Sequence, residues 1–187
     1  MMHQFFRYAG IMDKLKVRKL DENAFDKVYY KNREYDYAMG YESFIDTLCK
    51  AFPGERENLR QYTALLAEVG SLISVENLKK GIISTEGMKY FNTSAAGMIA
   101  RITSNPDLQS VQSVLAGSAL LYGGLREHSN FYEHAMINNS YIQGAYRFID
   151  GSMQVADGMI NVIRSNGGTV LNSSEVTRII VENNRVQ

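Results

Sequence analysis

The chain has 187 residues, and its 20 lysines and arginines balance 20 aspartates and glutamates, which gives a formal net charge of zero. This balance argues against a nucleic-acid partner, because such proteins present a clustered basic face. The single cysteine excludes an internal disulfide. No segment resembles a signal peptide or approaches the ~20 apolar residues of a membrane span, so we expect a cytoplasmic protein.

The first 40 residues predict β-strands. The segments DKLKVRKL (13–20), KVYYK (27–31) and EYDYAMGY (34–41) are rich in strand-forming residues, with a turn at Asn32 and Arg33 between the last two. The pattern predicts a tyrosine-rich β-meander. Its tyrosines either pack one sheet face against helices or line an apolar substrate tunnel: Tyr29, Tyr30, Tyr35, Tyr37 and Tyr41.

From residue 43 onward apolar residues recur at helical spacing. A first helix over 43–50 places Cys49 on the same face as Phe44 and Leu48, so we expect a buried core cysteine. Residues 57–72 predict a second helix of about four turns. Residues 75–103 are mainly helical, with predicted interruptions at Gly81, Gly87 and Gly97.

Asn105-Pro106-Asp107 is a helix start signal, and the helix that follows is expected to end at Gly123-Gly124. A later amphipathic helix spans 155–165 and ends at Asn166-Gly167-Gly168, where glycine suits the left-handed closing residue. Short strands are predicted at 169–171 and 178–182. Asn183-Asn184 then forms a tight turn into a return strand of about three residues.

The segment YRFIDGSMQVADGMINVIRSNGGTVLNSSEVTRIIVENNRV (146–186) resembles the phytoene desaturase and retinol saturase branch of FAD-dependent, amine-oxidase-like flavoproteins. Matching elements are Gly151-Ser152, Gly167-Gly168, the Val176 and Ile179 step, and the hairpin tip at 182–185. Asp150 stands where the family usually has glycine. Upstream, LCKAFPGERENLRQY (48–62) and LLYGGLREHS (120–129) are similar to parts of the family's substrate domain.

Periodicity and resemblance together imply an α+β fold, in which an antiparallel sheet is covered by helices. Residues 1–147 would form a substrate-side domain, and residues 148–187 a partial FAD-domain return segment. The family's Gly-x-Gly-x-x-Gly turn, which brings backbone N–H groups to the FAD pyrophosphate, has no counterpart, since the sequence contains no Gly-x-Gly. We therefore expect an internal fragment of such an enzyme, without bound FAD.

For the complete parent protein the resemblance implies hydride transfer between FAD and a hydrophobic, isoprenoid-like substrate, with saturation or desaturation of a carbon–carbon bond. It implies that Gly151 and Ser152 approach the flavin. The alternative is an ordinary helix entry, with Asp150 or Ser152 as the N-cap. Val176 would present its backbone to the adenine edge, or would simply be a packed strand residue. No catalytic residue is assigned.

Other site chemistries have weaker support. Glu127, His128, Glu133 and His134 have metal-binding side chains, but the two histidines are six positions apart. That spacing fits neither a helical pair nor a zinc finger, so we expect a solvated surface and no metal. The sequence has no Gly-x-Ser-x-Gly motif of a hydrolase.

The expected partners are the remainder of the FAD domain and a hydrophobic small molecule. The strand Arg178–Val181 would leave backbone groups unpaired, and such an edge can pair with another copy of the chain, giving a homo-oligomer. Because a helix–Gly-Gly–strand pattern is common in α/β folds, one alternative stays open. In that alternative the chain is a non-catalytic helical binding or interaction module.

Overall fold

The computed structural model describes residues 2–72, 75–80, 85–109 and 129–186. Its helices are α1 (Met2–Tyr8), α2 (Tyr41–Cys49), α3 (Arg56–Ser71), α4 (Val75–Lys79), α5 (Met88–Phe91), α6 (Ala95–Ile102), α7 (Phe131–Gln143) and α8 (Met153–Ser165). Its strands are β1 (Val17–Lys19), β2 (Asp26–Tyr30), β3 (Arg33–Tyr37), β4 (Tyr146–Phe148), β5 (Val181–Glu182) and β6 (Arg185–Val186).

The main core forms where α3 packs against α7, with α2 and α6 contacting both helices. In α3 the buried residues Leu59, Tyr62 and Leu66 are three or four positions apart, a spacing that places them on one helical face. Phe131 and Ile142 of α7 are completely buried opposite them. Cys49 is partly buried and packs against this cluster, in line with a core cysteine.

The predicted single sheet is wrong, because the described strands form three separate two-stranded antiparallel sheets, β1–β4, β2–β3 and β5–β6. In particular, β1 does not continue into a meander with β2. It pairs with β4 in the register Val17↔Phe148 to Lys19↔Tyr146. The α+β class itself is compatible with the observed helices and small sheets.

The hairpin of β2 and β3 is confirmed, with a small shift in its turn. Lys31 and Asn32 have φ angles of 47° and 61°, which is the geometry of the two-residue turn that matches the twist of a hairpin. Arg33 therefore belongs to β3 rather than to the turn. This strand ends at Tyr37 instead of Tyr41, because the backbone carbonyl of Gly40 already accepts a bond from Phe44 in the first turn of α2.

Gly97 does not interrupt a helix, contrary to the prediction. It lies in the first turn of α6, where its backbone N–H donates to the Ser94 hydroxyl that caps the helix. Asn105 is confirmed as a helix start, since its side-chain oxygen accepts bonds from the backbone N–H groups of Asp107 and Leu108. The predicted continuation to Gly123-Gly124, the break at Gly81 and almost all of the segment 120–129 lie outside the described residues.

A second apolar cluster joins α8 to the N-terminal part of the chain. Phe6, Ile11 and Leu15 are buried there, and Val155 and Met159 of α8 pack against them. Gly158 permits this approach, since a Cβ atom at that position would lie 3.2 Å from Ile11 Cγ2.

The C-terminal segment after α8 is largely exposed. The helix ends as predicted, at Asn166 followed by Gly167 with φ of 82°. No strand forms at 169–171, and β5 has only two residues, but the tight turn is confirmed by positive φ angles at Asn183 and Asn184. Among the described residues, none of the helices combines the length and apolar character needed to cross a bilayer.

Candidate functional site: an apolar cleft and a buried polar network

An open cleft of about 1020 Å³ lies among α1, the two ribbons β1–β4 and β2–β3, and the end of α7. One wall is built from the second apolar cluster and contains Phe6, Met12 and Phe148. The opposite wall contains Phe25 and Tyr37, which belong to the main core. A cleft of this size with mainly apolar walls is typical of a small-molecule site.

The wall formed by β2 also carries a charged network. Lys27 forms ion pairs with Glu34 and Asp36 of β3, and the Tyr29 hydroxyl donates to Glu34. The bond that Lys27 Nζ donates to Glu34, followed by its contact with Asp36, raises the pKa of Lys27. The bond from Lys27, followed by that from Tyr29, lowers the pKa of Glu34. Lys27, Glu34 and Tyr29 therefore satisfy one another, and the lysine of β2 that borders the cleft is paired.

Behind the cleft lies a chain of buried polar groups. The Tyr37 hydroxyl donates to Asn138 Oδ1 at 2.7 Å, and Asn138 Nδ2 donates to the backbone carbonyl of His134 at 2.8 Å. The Tyr62 hydroxyl and His134 Nε2 are 2.7 Å apart. The side chains of Tyr37, Asn138, Tyr62 and His134 thus each have a partner, which offsets the cost of removing them from water.

His134 corrects the expectation of a solvated surface. Its side chain is only 1% exposed, and burial lowers the pKa of the imidazole to about 4, so the ring is neutral at pH 7. Burial likewise raises the pKa of Tyr62 and, as the largest cause, that of Tyr37. Because neutral imidazole has one donor and one acceptor nitrogen, the His134–Tyr62 contact is a neutral hydrogen bond.

The four metal-binding side chains considered in the sequence are only partly described by the structure. Glu133 is exposed and the neighbouring His134 is buried, while Glu127 and His128 lie outside the described part of the chain. Within that part, no group of three or more histidine, cysteine, aspartate or glutamate side chains is placed to hold a metal ion.

The flavin-contact candidates lie apart from the main core. Gly151 and Ser152 precede the first residue of α8, and Gly151 has φ of 93° with open space where a Cβ would be. The Ser152 side chain does not cap the helix. Ser152 thus occupies the predicted N-cap position without forming the capping bond, and Gln154 Nε2 donates to the backbone carbonyls of Ile149 and Gly151. Val176 lies outside the helices and strands and is 77% exposed.

The five tyrosines between residues 29 and 41 were predicted either to pack in the core or to line a substrate tunnel, and the structure shows some of each. Tyr35 and Tyr37 are buried, and Tyr30 and Tyr41 pack against the core. Tyr29 is exposed on the hairpin and lines the cleft, as does Tyr37. Packing therefore dominates, although the side of the hairpin nearest the ribbon β1–β4 does form part of a cavity.

The sequence did contain a signal for the buried network. Phe131, Ala135 and Ile142 mark the buried stripe of α7, and positions 134, 138 and 139 fall on the same stripe. A histidine and two asparagines at buried helical positions predict hydrogen-bonded core groups. Their spacing relative to the apolar residues was the useful signal, rather than the distance between two histidines.

No family model matches the chain. It is 31% identical over 179 residues to the all-trans-retinol 13,14-reductase of Danio rerio, an alignment that covers 86% of this chain and 29% of that protein. It is 26% identical over 165 residues to the all-trans-retinol 13,14-reductases of Rattus norvegicus and Homo sapiens, with 80% of this chain and 27% of each relative covered. The chain thus spans less than a third of the length of these curated relatives.

Proposed function

Because this chain is a homologue of the all-trans-retinol 13,14-reductases, which form an FAD-dependent oxidoreductase family, we propose that it is the substrate-side part of such an enzyme. The similarity to these reductases is the observation on which the proposal rests. It extends over most of the chain rather than only its last quarter, so it gives no support to an interaction module with a coincidental C-terminal likeness.

The cleft supports an apolar substrate. It has ample volume for an isoprenoid-sized molecule, and Phe6, Met12 and Phe148 would provide contact along one side. Transferring apolar surface from water into such a site stabilises binding by about 25 cal/mol per Å² of buried area. We therefore assign the cleft to the hydrophobic substrate and propose reduction or desaturation of a carbon–carbon bond as the reaction of the complete protein.

The flavin would supply the hydride chemistry when bound to the complete protein. We propose that Gly151, Ser152 and Val176 lie on the flavin side. The open space at Gly151 favours close approach of the backbone to a planar ring, and the exposed Val176 is free to contact a further part of the protein. The sequence has no Gly-x-Gly-x-x-Gly turn to bind the pyrophosphate of FAD, so FAD binding by this chain alone is not expected. An absorbance spectrum after addition of FAD tests that point.

No acid–base residue is assigned to the reaction. The neutral pair His134–Tyr62 is buried in the main core and does not line the cleft. Three predictions from the sequence stay proposals. They are a domain boundary near residue 147, pairing of the strand Arg178–Val181 with a second copy of the chain, and a cytoplasmic location.

The cleft assignment is tested by filling it. Ala145 lines the cleft, so Ala145→Trp places a large ring in the proposed substrate volume, whereas Ala64→Trp adds the same ring on the exposed face of α3. We expect Ala145→Trp to weaken retinol binding by at least about tenfold, the loss of roughly 1.4 kcal/mol of contact. Equilibrium dialysis followed by retinoid absorbance measures the affinity.

Ala64→Trp should bind retinol like the unmodified chain. Equal binding by both variants would show that the apolar ligand lies elsewhere. Absence of retinol binding by the unmodified chain would remove the assignment of the cleft altogether.

A further inference from the structure

A carboxylate of the cleft lies on an apolar face of the hairpin. Asp26 of β2 is the direct partner of Tyr37 in the antiparallel register of β2 and β3, and Val28 follows two positions along the same strand. Cross-strand partners and alternate residues of one strand share a face, so the side chains of Asp26, Val28 and Tyr37 leave the hairpin together. All three residues line the cleft, and the two apolar ones also pack in the main core. The Asp26 carboxylate thus lies at the border of the apolar volume.

This carboxylate keeps capacity for a further hydrogen bond within the described part of the chain. Its Oδ1 accepts from the backbone N–H of Lys27 at 2.8 Å, which holds the side chain in place. The lysine and the arginine that also line the cleft do not form ion pairs with Asp26, since Lys27 pairs with Glu34 and Asp36 and Arg147 lies on the other wall. A carboxylate has about four lone-pair sites, so Asp26 can accept from a ligand.

A carboxylate at this border changes which ligand the cleft favours. An apolar ligand that fills the cleft displaces water from its wall, and a carboxylate that loses water needs another hydrogen-bond donor. A hydroxyl group at the end of the ligand supplies that donor, and O–H···O⁻ bonds are shorter and stronger than bonds between neutral groups. An ether supplies only an acceptor, and a ligand carboxylate would bring a second negative charge to the same place.

From this placement we propose that Asp26 is a specificity-determining residue of the cleft, which accepts a hydrogen bond from the hydroxyl group of an apolar alcohol. The apolar body of the ligand contacts the wall that contains Phe6 and Phe148, and its hydroxyl end lies at the start of β2. The inference rests on the proposed function, because it takes the cleft as the site of the apolar substrate and adds the residue that holds the polar end.

Retinol and its methyl ether share one apolar body and differ in the hydroxyl donor, so this pair tests the hydrogen bond. We expect the 187-residue chain to bind retinol at least about fivefold more tightly than the ether, the scale of a charge-assisted bond at a partly solvated site. Equilibrium dialysis followed by retinoid absorbance measures both affinities. Equal affinities would overturn the inference while the apolar site stands, whereas failure of both ligands to bind would instead remove the proposed function.

A pair of aspartate variants tests the assignment to Asp26. Asp26→Leu removes the acceptor, and Asp21→Leu makes the same change in an aspartate that also accepts a backbone N–H, from Asn23, but lies outside the cleft lining. Asp26→Leu should abolish the preference by weakening the binding of retinol and not that of the ether, whereas Asp21→Leu should keep it. A preference that survives in Asp26→Leu, or that is lost equally in both variants, would contradict the assignment.

The charge of Asp26 is tested separately with Asp26→Asn, which keeps the size of the side chain and an oxygen acceptor. With retinoic acid as the ligand, this variant should bind at least about threefold more tightly than the unmodified chain at low salt, because the repulsion between two carboxylates is gone. The difference should shrink in 0.5 M KCl, since salt screens exposed charges. Equal binding of retinoic acid by the two proteins would show that the Asp26 carboxylate does not face the ligand.

Discussion

The helical core and the segment after α8 contain similar apolar residues in opposite environments. Leu59, Phe131 and Ile142 are completely buried between α3 and α7. Leu171, Val176 and Ile179 are 66 to 77% exposed. An apolar residue is buried only where the fold supplies facing elements, and the C-terminal hairpin of two-residue strands supplies none. The contrast fits the proposal that a further part of the parent protein covers this segment.

The largest expected effect is in the core. Phe131→Ala removes a ring that is fully buried and contacts Tyr90, with ring centroids 5.7 Å apart. We expect the free energy of unfolding to fall by roughly 3–5 kcal/mol, because the change combines lost apolar burial with a cavity. Urea unfolding followed by circular dichroism measures it. A loss below about 1 kcal/mol would mean that the helices do not form the closed core described above.

The buried histidine makes the stability of the core depend on pH. The pKa of His134 is about 4 when folded and near 6.5 when unfolded, so the unfolded chain binds the extra proton in this interval. The contribution of neutral His134 to the free energy of unfolding is complete above pH 6.5 and is lost as the pH falls toward 4. The loss amounts to about 3 kcal/mol, since each pKa unit corresponds to ~1.36 kcal/mol.

The measurement is urea unfolding at a series of pH values for the unmodified chain and for His134→Gln. The variant should be less stable at pH 7.5 but should decline less between pH 6.5 and 4, because the titrating group is gone. Parallel declines in the two proteins would show that other groups cause the pH dependence. An NMR titration of the unmodified chain reports directly on the pKa of His134.

The smallest effect belongs to the exposed segment. Val176→Ser should change the free energy of unfolding by less than about 0.5 kcal/mol, as is usual for exposed positions. The same urea experiment applies, with Phe131→Ala as the contrasting variant. A loss comparable to that of a core residue would show that Val176 is buried in solution, either in a second copy or against the rest of the chain.

Helix ends and tight turns were predicted well from the sequence, because a few neighbouring residues determine their backbone conformation. The end of α8 at Gly167 and the turn at Asn183-Asn184 each depend on backbone preferences within one turn. At the start of α8 the predicted N-cap residue Ser152 is in place, but its side chain forms no capping bond.

Long-range pairing could not be predicted in this way. The partner of Val17 is Phe148, and nothing in the composition of DKLKVRKL indicates which distant strand it meets. The cleft depends on that pairing, because β4 contributes part of its wall. The tyrosines and the C-terminal glycines were recognised as candidate site residues, but the cleft became apparent only when distant segments were brought together. The burial of His134 was predictable from its position on the apolar stripe of α7, and that local signal was missed.

The pairing of β1 with β4 also has a consequence for how the protein comes to be folded. About 130 residues separate Val17 from Phe148, so closing this contact costs far more chain entropy than forming the local hairpin β2–β3. During synthesis β1 must wait on the order of ten seconds for its partner, at rates of about 5–20 residues per second. Through that interval β1 has no paired strand, so its open edge is available for wrong pairing with another extended segment.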